Sequence, residues 1–203
     1  EMGDEARIPP PLDGVGAKLR LDYLKKVLDQ GAHDRPYMFT RMPGFGSANL
    51  GHLAEELAKV DKPPAIPAVV FELPPPRVKA KARHMVGGQA FGCIKCHTFA
   101  GHKAEGVQGI DMTLMTQRVQ RDWFHRYLID PQKFRPGTRM PTSWPDGVTF
   151  LKDVLDGDTA KQIEAVWLYL ADGGKALLPP GMNKHPIAPV PNNVASNYRE
   201  FIV

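Results

Sequence analysis

The chain has 203 residues, 42% hydrophobic and 24% charged, which suits one large or two small domains with a packed core. Twenty prolines and nineteen glycines point to short elements joined by rigid, irregular connections. The formal charge of +4 is spread along the chain, so the tightest basic group, Lys79, Lys81 and Arg83, reads as a solvated helix start and not a nucleic-acid arm. No run approaches the ~18 apolar residues of a membrane span.

The periodicity predicts an all-α chain. Residues 1–17 are Pro/Gly-rich and irregular. Leu21, Leu24 and Leu28 mark the apolar face of a helix over 17–29, with Gly31 placed as its stop. Arg35 to Gly46 reads as a loop from its prolines and glycines. Leu50, Leu53, Ala54 and Leu57 predict a second helix over 48–60. Six prolines between 63 and 76 make an extended linker, with Ala68 to Phe71 as a short strand or an apolar strap. A third helix is expected over 78–90, weakened by Gly87 and Gly88, a pair that suits close approach of another helix. The fourth spans 112–129 on Met115, Val119, Trp123 and Tyr127, with Phe124 and Leu128 beside them. His125 on that helix is expected in solvent. Residues 131–149 read as loop. The fifth helix runs 159–171 with Ile163, Val166, Trp167 and Leu170 as its buried stripe, and 179–203 reads as an extended Pro-rich tail.

Between the third and fourth helices stands Cys93-Ile94-Lys95-Cys96-His97. Two cysteines two residues apart with a histidine directly after them form the attachment signal of haem c. Each thiol adds to one vinyl group, and the histidine supplies an axial nitrogen to the iron. A thioredoxin-like dithiol would want a βαβ setting, and a zinc site would want a second Cys pair. Both cysteines are used by the signal, so neither disulfides nor spare thiols are expected.

The second axial ligand is sought among methionines and histidines. Met140 lies 43 residues after His97 in a loop, with Pro141 beside it to stiffen the approach. Met112 and Met115 fit core packing at a helix start. Met182 falls in the tail, and His102 and His125 are the bis-His alternatives. Arg139 is a candidate partner for a haem propionate, since guanidinium suits carboxylates, and equally a plain loop arginine. Of the three tryptophans, Trp144 in the ligand loop is the candidate for walling the haem, whereas Trp123 and Trp167 read as core. Asp153, Asp156 and Asp158 read as a solvated loop and a helix cap.

These residues resemble a class I cytochrome c domain over about 78–178. The order matches: helix, Cys-x-x-Cys-His, loop, aromatic helix, Met loop, amphipathic helix. The resemblance implies a mono-haem fold in which the first and last helices cross closely, a contact open to Gly87-Gly88 and Trp167. It departs in two places. Phe91 stands only two residues before Cys93, and Gly109 or Ile110 stands where the family often uses a proline carbonyl to hold the histidine ring. The Arg-Pro-Gly-Thr-Arg-Met-Pro run and the Trp-Pro-Asp-Gly after it also look like haem regions of large secreted multidomain proteins of planctomycete-type bacteria.

Residues 1–62 echo the second domain as a degenerate or truncated module of the same kind. Arg41-Met42-Pro43 matches Arg139-Met140-Pro141, and Asp13 and Asp111 each precede the methionine by 29 positions. Tyr23 in one copy answers Trp123 in the other, with the helices offset by two residues. No Cys-x-x-Cys-His accompanies the first copy. Either Met42 serves a haem held upstream or on another chain, or the copy survives as a structural pseudo-domain.

The expectation is an electron-transfer protein working with a redox partner protein, without a partner nucleic acid or a transmembrane span. The alternative is the electron-entry domain of a larger enzyme such as a dehydrogenase or a di-haem peroxidase-like protein. Haem attachment takes place outside the cytoplasmic membrane, so a periplasmic or otherwise exported location is expected. The start at Glu1, without an apolar signal core, implies a processed form or a piece of something longer.

Overall fold

The computed structural model describes residues 12–32 and 44–186. The triplet Arg41-Met42-Pro43 lies outside them. The described residues are all-α, with isolated bridges but no strand. None of their helices is long and apolar enough to cross a membrane.

The first half contains α1 (Val15–Lys18), α2 (Leu21–Gln30), α3 (Ser47–Leu50) and α4 (Leu53–Val60). Leu24 and Leu28 are buried on α2, which ends where Gly31 takes a left-handed conformation, φ 63°. α4 packs across α1 and α2 and buries Ala54. Its end is tied back where Gly16 N–H donates to Asp61 Oδ2 at 3.1 Å.

The second half contains α5 (Pro75–Val86), α6 (Met115–Arg118), α7 (Arg121–Ile129), α8 (Pro131–Phe134) and α9 (Thr159–Leu170). α5 starts three residues earlier than its apolar pattern suggests, because prolines are well suited to a first turn whose N–H groups have no partner. Val78, Ala82, Met85 and Val86 form its buried stripe. α9 starts at Asp158, whose carboxylate accepts from Lys161 N at 2.9 Å. It buries Gln162, Ile163, Glu164, Ala165, Val166, Tyr169 and Leu170, while Trp167 stays half-buried against Phe124. α5 and α9 form the most extensive helix pair among the described residues.

Two expected helices are each broken. The 17–29 helix parts at Leu19 and the 112–129 helix at Val119, both in extended backbone. The two breaks meet as an antiparallel bridge. Arg20 N–H donates to Arg118 C=O at 2.9 Å, and Gln120 N–H donates to Lys18 C=O at 2.8 Å. Neither site holds Gly or Pro; each break is stabilised by the other chain segment.

Several further expectations are refined. Gly87 ends α5, and the segment that approaches the Gly87-Gly88 pair is a turn, not a helix. Gly88 N–H donates to Pro180 C=O at 3.0 Å, and a Cβ on Gly87 would stand 3.0 Å from Pro180. The start of the tail is therefore packed, with Met182 buried in the core. Lys79 and Arg83 reach the same region, pairing with Asp172 (2.5 Å) and Leu178 C=O (2.7 Å). Residues 131–134 form a helical turn capped by Asp130, and 68–71 form no strand. The linker is strapped down by Arg121 at Ile66 and Pro67 carbonyls and by Lys161 at Glu72.

Candidate functional site

α5 ends at Gly87, and the chain turns through Gly92, φ 68°, into a single 3₁₀ turn at Cys93–Lys95. Cys96 N–H (3.2 Å) and His97 N–H (2.9 Å) both donate to Cys93 C=O, so the three sulfur- and nitrogen-bearing side chains issue from one turn. Ile94 is buried and anchors the turn in the core. Cys93 is half-buried against that core, and desolvation pushes its thiol up to about 12. Cys96 is exposed, and both thiols are free.

His97 Nδ1 lies 2.8 Å from Ile110 C=O. A carbonyl only accepts, so Nδ1 carries a proton, and in the neutral ring the lone pair is then on Nε2. That is the tautomer a metal-ligating histidine adopts. The carbonyl is held in place by a tight loop. Gly109 N–H donates to Cys96 C=O at 2.6 Å, and a Cβ on Gly109 would stand 2.5 Å from that oxygen and 3.1 Å from His97 Nδ1. Only glycine lets this segment pass so close. Gln108 closes the loop through Ala104 and Gly106. Asp111 then pins its far end, accepting from Ala100, Gly101 and Thr113 N–H groups and from Thr113 Oγ1.

Met140 lies half-buried between α8 and a short turn at Pro145–Gly147, its N–H donating to Thr138 Oγ1 at 3.3 Å. Arg139 and Pro141 are exposed. Trp144 is 2% exposed, and its Nε1–H donates to Gln162 Oε1 at 2.9 Å. Gln162, fully buried on α9, donates in turn to Leu151 and Val154 carbonyls. One side chain thus fixes the Met140–Val154 segment at three points.

The segment leading into the Cys93–Lys95 turn and the Met140 loop meet through aromatic rings. Phe91 lies 4.4 Å from Trp144 and 5.1 Å from Phe150, centroid to centroid. Phe150 is 63% exposed and Val148 52%, so an apolar surface opens beside the cluster. Trp123 packs elsewhere, stacked on Tyr127 at 4.5 Å. Met112 is buried and Met115 half-buried, as core residues.

His125 is not in solvent. It is 3% exposed, with Nε2 2.6 Å from Glu164 Oε2, which also accepts from Arg121 Nε at 2.8 Å. Burial opposes ionisation of Glu164, but the His125 hydrogen bond and the Arg121 charge outweigh it and hold the carboxyl below its ordinary range. The cluster joins α7 to α9 and engages His125 Nε2. Gln162 and Glu164 carry no signal of their own in the sequence; Asp111 is marked there only as the counterpart of Asp13, and its Asp-x-Thr spacing hints at a cap. Among the described residues no three His, Cys, Asp or Glu side chains gather as a metal set.

No family model matches the chain, and no curated protein or solved structure matches it.

Proposed function

We propose that the chain is an electron-transfer protein carrying one haem c, attached through Cys93 and Cys96, ligated by His97 and Met140, in a class I cytochrome c-like domain over about 78–178. The observation that carries the reading is the hydrogen bond from His97 Nδ1–H to Ile110 C=O. In the neutral ring it leaves Nε2 as the donor atom, on a residue that follows two thiols in the same turn.

Bound haem supplies a one-electron Fe(III)/Fe(II) couple. The chain's own residues attach it, orient it and keep water from one side. Ile110 and Gly109 fix the plane of the His97 ring. Gln162 and Trp144 stiffen the loop from which Met140 offers its thioether, a weak ligand that needs a fixed position. Phe91, Val148 and Phe150 supply apolar surface of the kind a porphyrin covers. Arg139, exposed beside Met140, is available to a propionate. An exported location and a protein redox partner follow from the same reading.

The test is expression with a haem c maturation system. A reduced alkaline pyridine spectrum of a thioether-bound haem, one haem per chain, and no thiol left for alkylation are expected. A colourless chain with both thiols alkylated overturns the proposal. Met140→Ala is expected to abolish the sulfur-to-iron charge-transfer band and to admit cyanide or CO to the native protein.

A further inference from the structure

Met140 is fastened by very little of its own segment. Its N–H donates to Thr138 Oγ1, and Pro141 after it has no N–H to give. From Arg139 to Ser143 no backbone group bonds to another backbone group among the described residues; such bonding resumes where Gly147 N–H donates to Trp144 C=O at 2.9 Å. What holds the methionine in place therefore has to come from side chains.

Beyond Met140 that side chain is Gln162, which ties Trp144 into the core. Ahead of Met140 it is Gln132. Its Nε2–H donates to Thr138 C=O at 2.5 Å, and its Oε1 accepts from Gly137 N–H at 3.1 Å. These partners fix which end of the amide is which, because a carbonyl only accepts and an N–H only donates. Thr138 N–H donates to Arg135 C=O at 3.1 Å and closes the turn, with Gly137 in the left-handed region at φ 80°. Gln132 stands on a firm base. Pro131 before it is fully buried, Asp130 accepts from Lys133 N–H at 3.1 Å, and the Phe134 ring lies 5.9 Å from Trp123 and 6.2 Å from Tyr127. Met140 thus hangs between two amides, one buried on α9 and one exposed on α8.

We propose that Gln132, acting through Thr138, is a positioning residue that holds the Met140 thioether at the iron and sets how readily it leaves. This rests on the reading of Met140 as the axial ligand. A thioether is a weak ligand, so order already present in residues 137–140 decides how fast it departs and returns. Once the clamp lets go, an outside ligand takes its position.

The test uses the haem-loaded chain, with cyanide as the probe. Gln132→Ala is expected to keep one haem per chain and to bind cyanide about tenfold faster, the scale of one to two lost hydrogen bonds. Thr138→Val, which removes the acceptor of Met140 N–H, is expected to do the same, and Thr138→Ser to restore the parent rate. Added to Met140→Ala, Gln132→Ala is expected to change nothing further, because its effect runs through the sulfur. An unchanged rate in Gln132→Ala, or an acceleration that persists on top of Met140→Ala, overturns the inference. In the haem-free chain, hydrogen exchange at Gly137 N–H is expected to quicken about tenfold in Gln132→Ala; equal exchange in both chains overturns the clamp itself. The two readings fail apart. If Met140→Ala leaves the spectrum and cyanide binding unaltered, Met140 is not the ligand and the inference falls with that reading. If Met140→Ala opens the iron and Gln132→Ala does not, the clamp alone is wrong.

Discussion

The ammonium of Lys18 lies 5.1 Å from the ring centroid of Trp123, and one hundred residues on, the guanidinium of Arg118 lies 5.8 Å from that of Tyr23. The two contacts are images of one another across the Leu19–Val119 pairing. Each cation–ring pair at such partly exposed positions contributes about 0.5–1 kcal/mol. Double-mutant cycles on Lys18/Trp123 and Arg118/Tyr23, by urea unfolding, are expected to return coupling energies of that size with the same sign. A coupling near zero for one pair and not the other would break the proposed equivalence.

Gly109→Ala is expected to damage the attachment turn more than any neighbouring glycine-to-alanine change in the loop. The new methyl meets Cys96 C=O at 2.5 Å, and backbone has to move to accommodate it. Overpacking of this kind costs about 1–3 kcal/mol. The midpoint of thermal unfolding should fall, and under the haem reading the yield of thioether-bound haem with it. Gly101→Ala, whose Cβ would meet nothing within 4 Å, is the control for yield, although its φ of 78° gives it a strain of its own.

Gln162→Leu removes the acceptor of Trp144 Nε1–H and the donor to two carbonyls. Leaving a buried polar group unpaired costs about 1–3 kcal/mol. Adding Trp144→Phe should restore part of that loss, because the orphaned indole N–H goes with it. Under the haem reading both variants weaken the methionine–iron bond, seen as faster cyanide binding at unchanged haem content. Unaltered cyanide kinetics would confine Gln162 to folding.

Acid should loosen the α7–α9 junction. The Glu164 carboxyl is held below its ordinary range in the folded chain, so the stability it contributes is complete above the unfolded value near 4.5. It is lost as pH falls through the lower folded value. Glu164→Gln is expected to be less stable near neutrality and to show a flatter decline on acidification. Urea midpoints collected from pH 3 to 7 on both proteins check the sign.

The sequence and the structure agree where local chemistry decides. Leu24 and Leu28 are on the buried face that their spacing indicates, Gly31 is the left-handed stop, and Asp158 is a cap. They part where a distant segment decides. Nothing in Leu19 or Val119 marks a break; a straight helix through either would remove the acceptor and donor that the other half uses. His125 looks like a surface residue until α9 brings Glu164 within 2.6 Å. Met182 looks like part of a tail until the turn at Pro180 closes over Gly88. The site itself was half legible. The ring-holding carbonyl narrows in the sequence to Gly109 or Ile110, and the fold gives the acceptor role to Ile110 and the close passage to Gly109. The Phe91–Trp144 contact spans 53 positions and leaves no periodic trace.

The Leu19–Val119 bridge also bears on the order in which the chain acquires its shape. A nascent chain emitted N-terminus first holds residues 12–60 well before residues 118–120 exist, and without them Arg20 N–H and Lys18 C=O lack their partners. Closing a loop of that length costs about 4 kcal/mol in chain entropy alone. The pairing at this break is therefore completed only after residues 118–120 have been made, and it couples the stability of residues 18–20 to theirs.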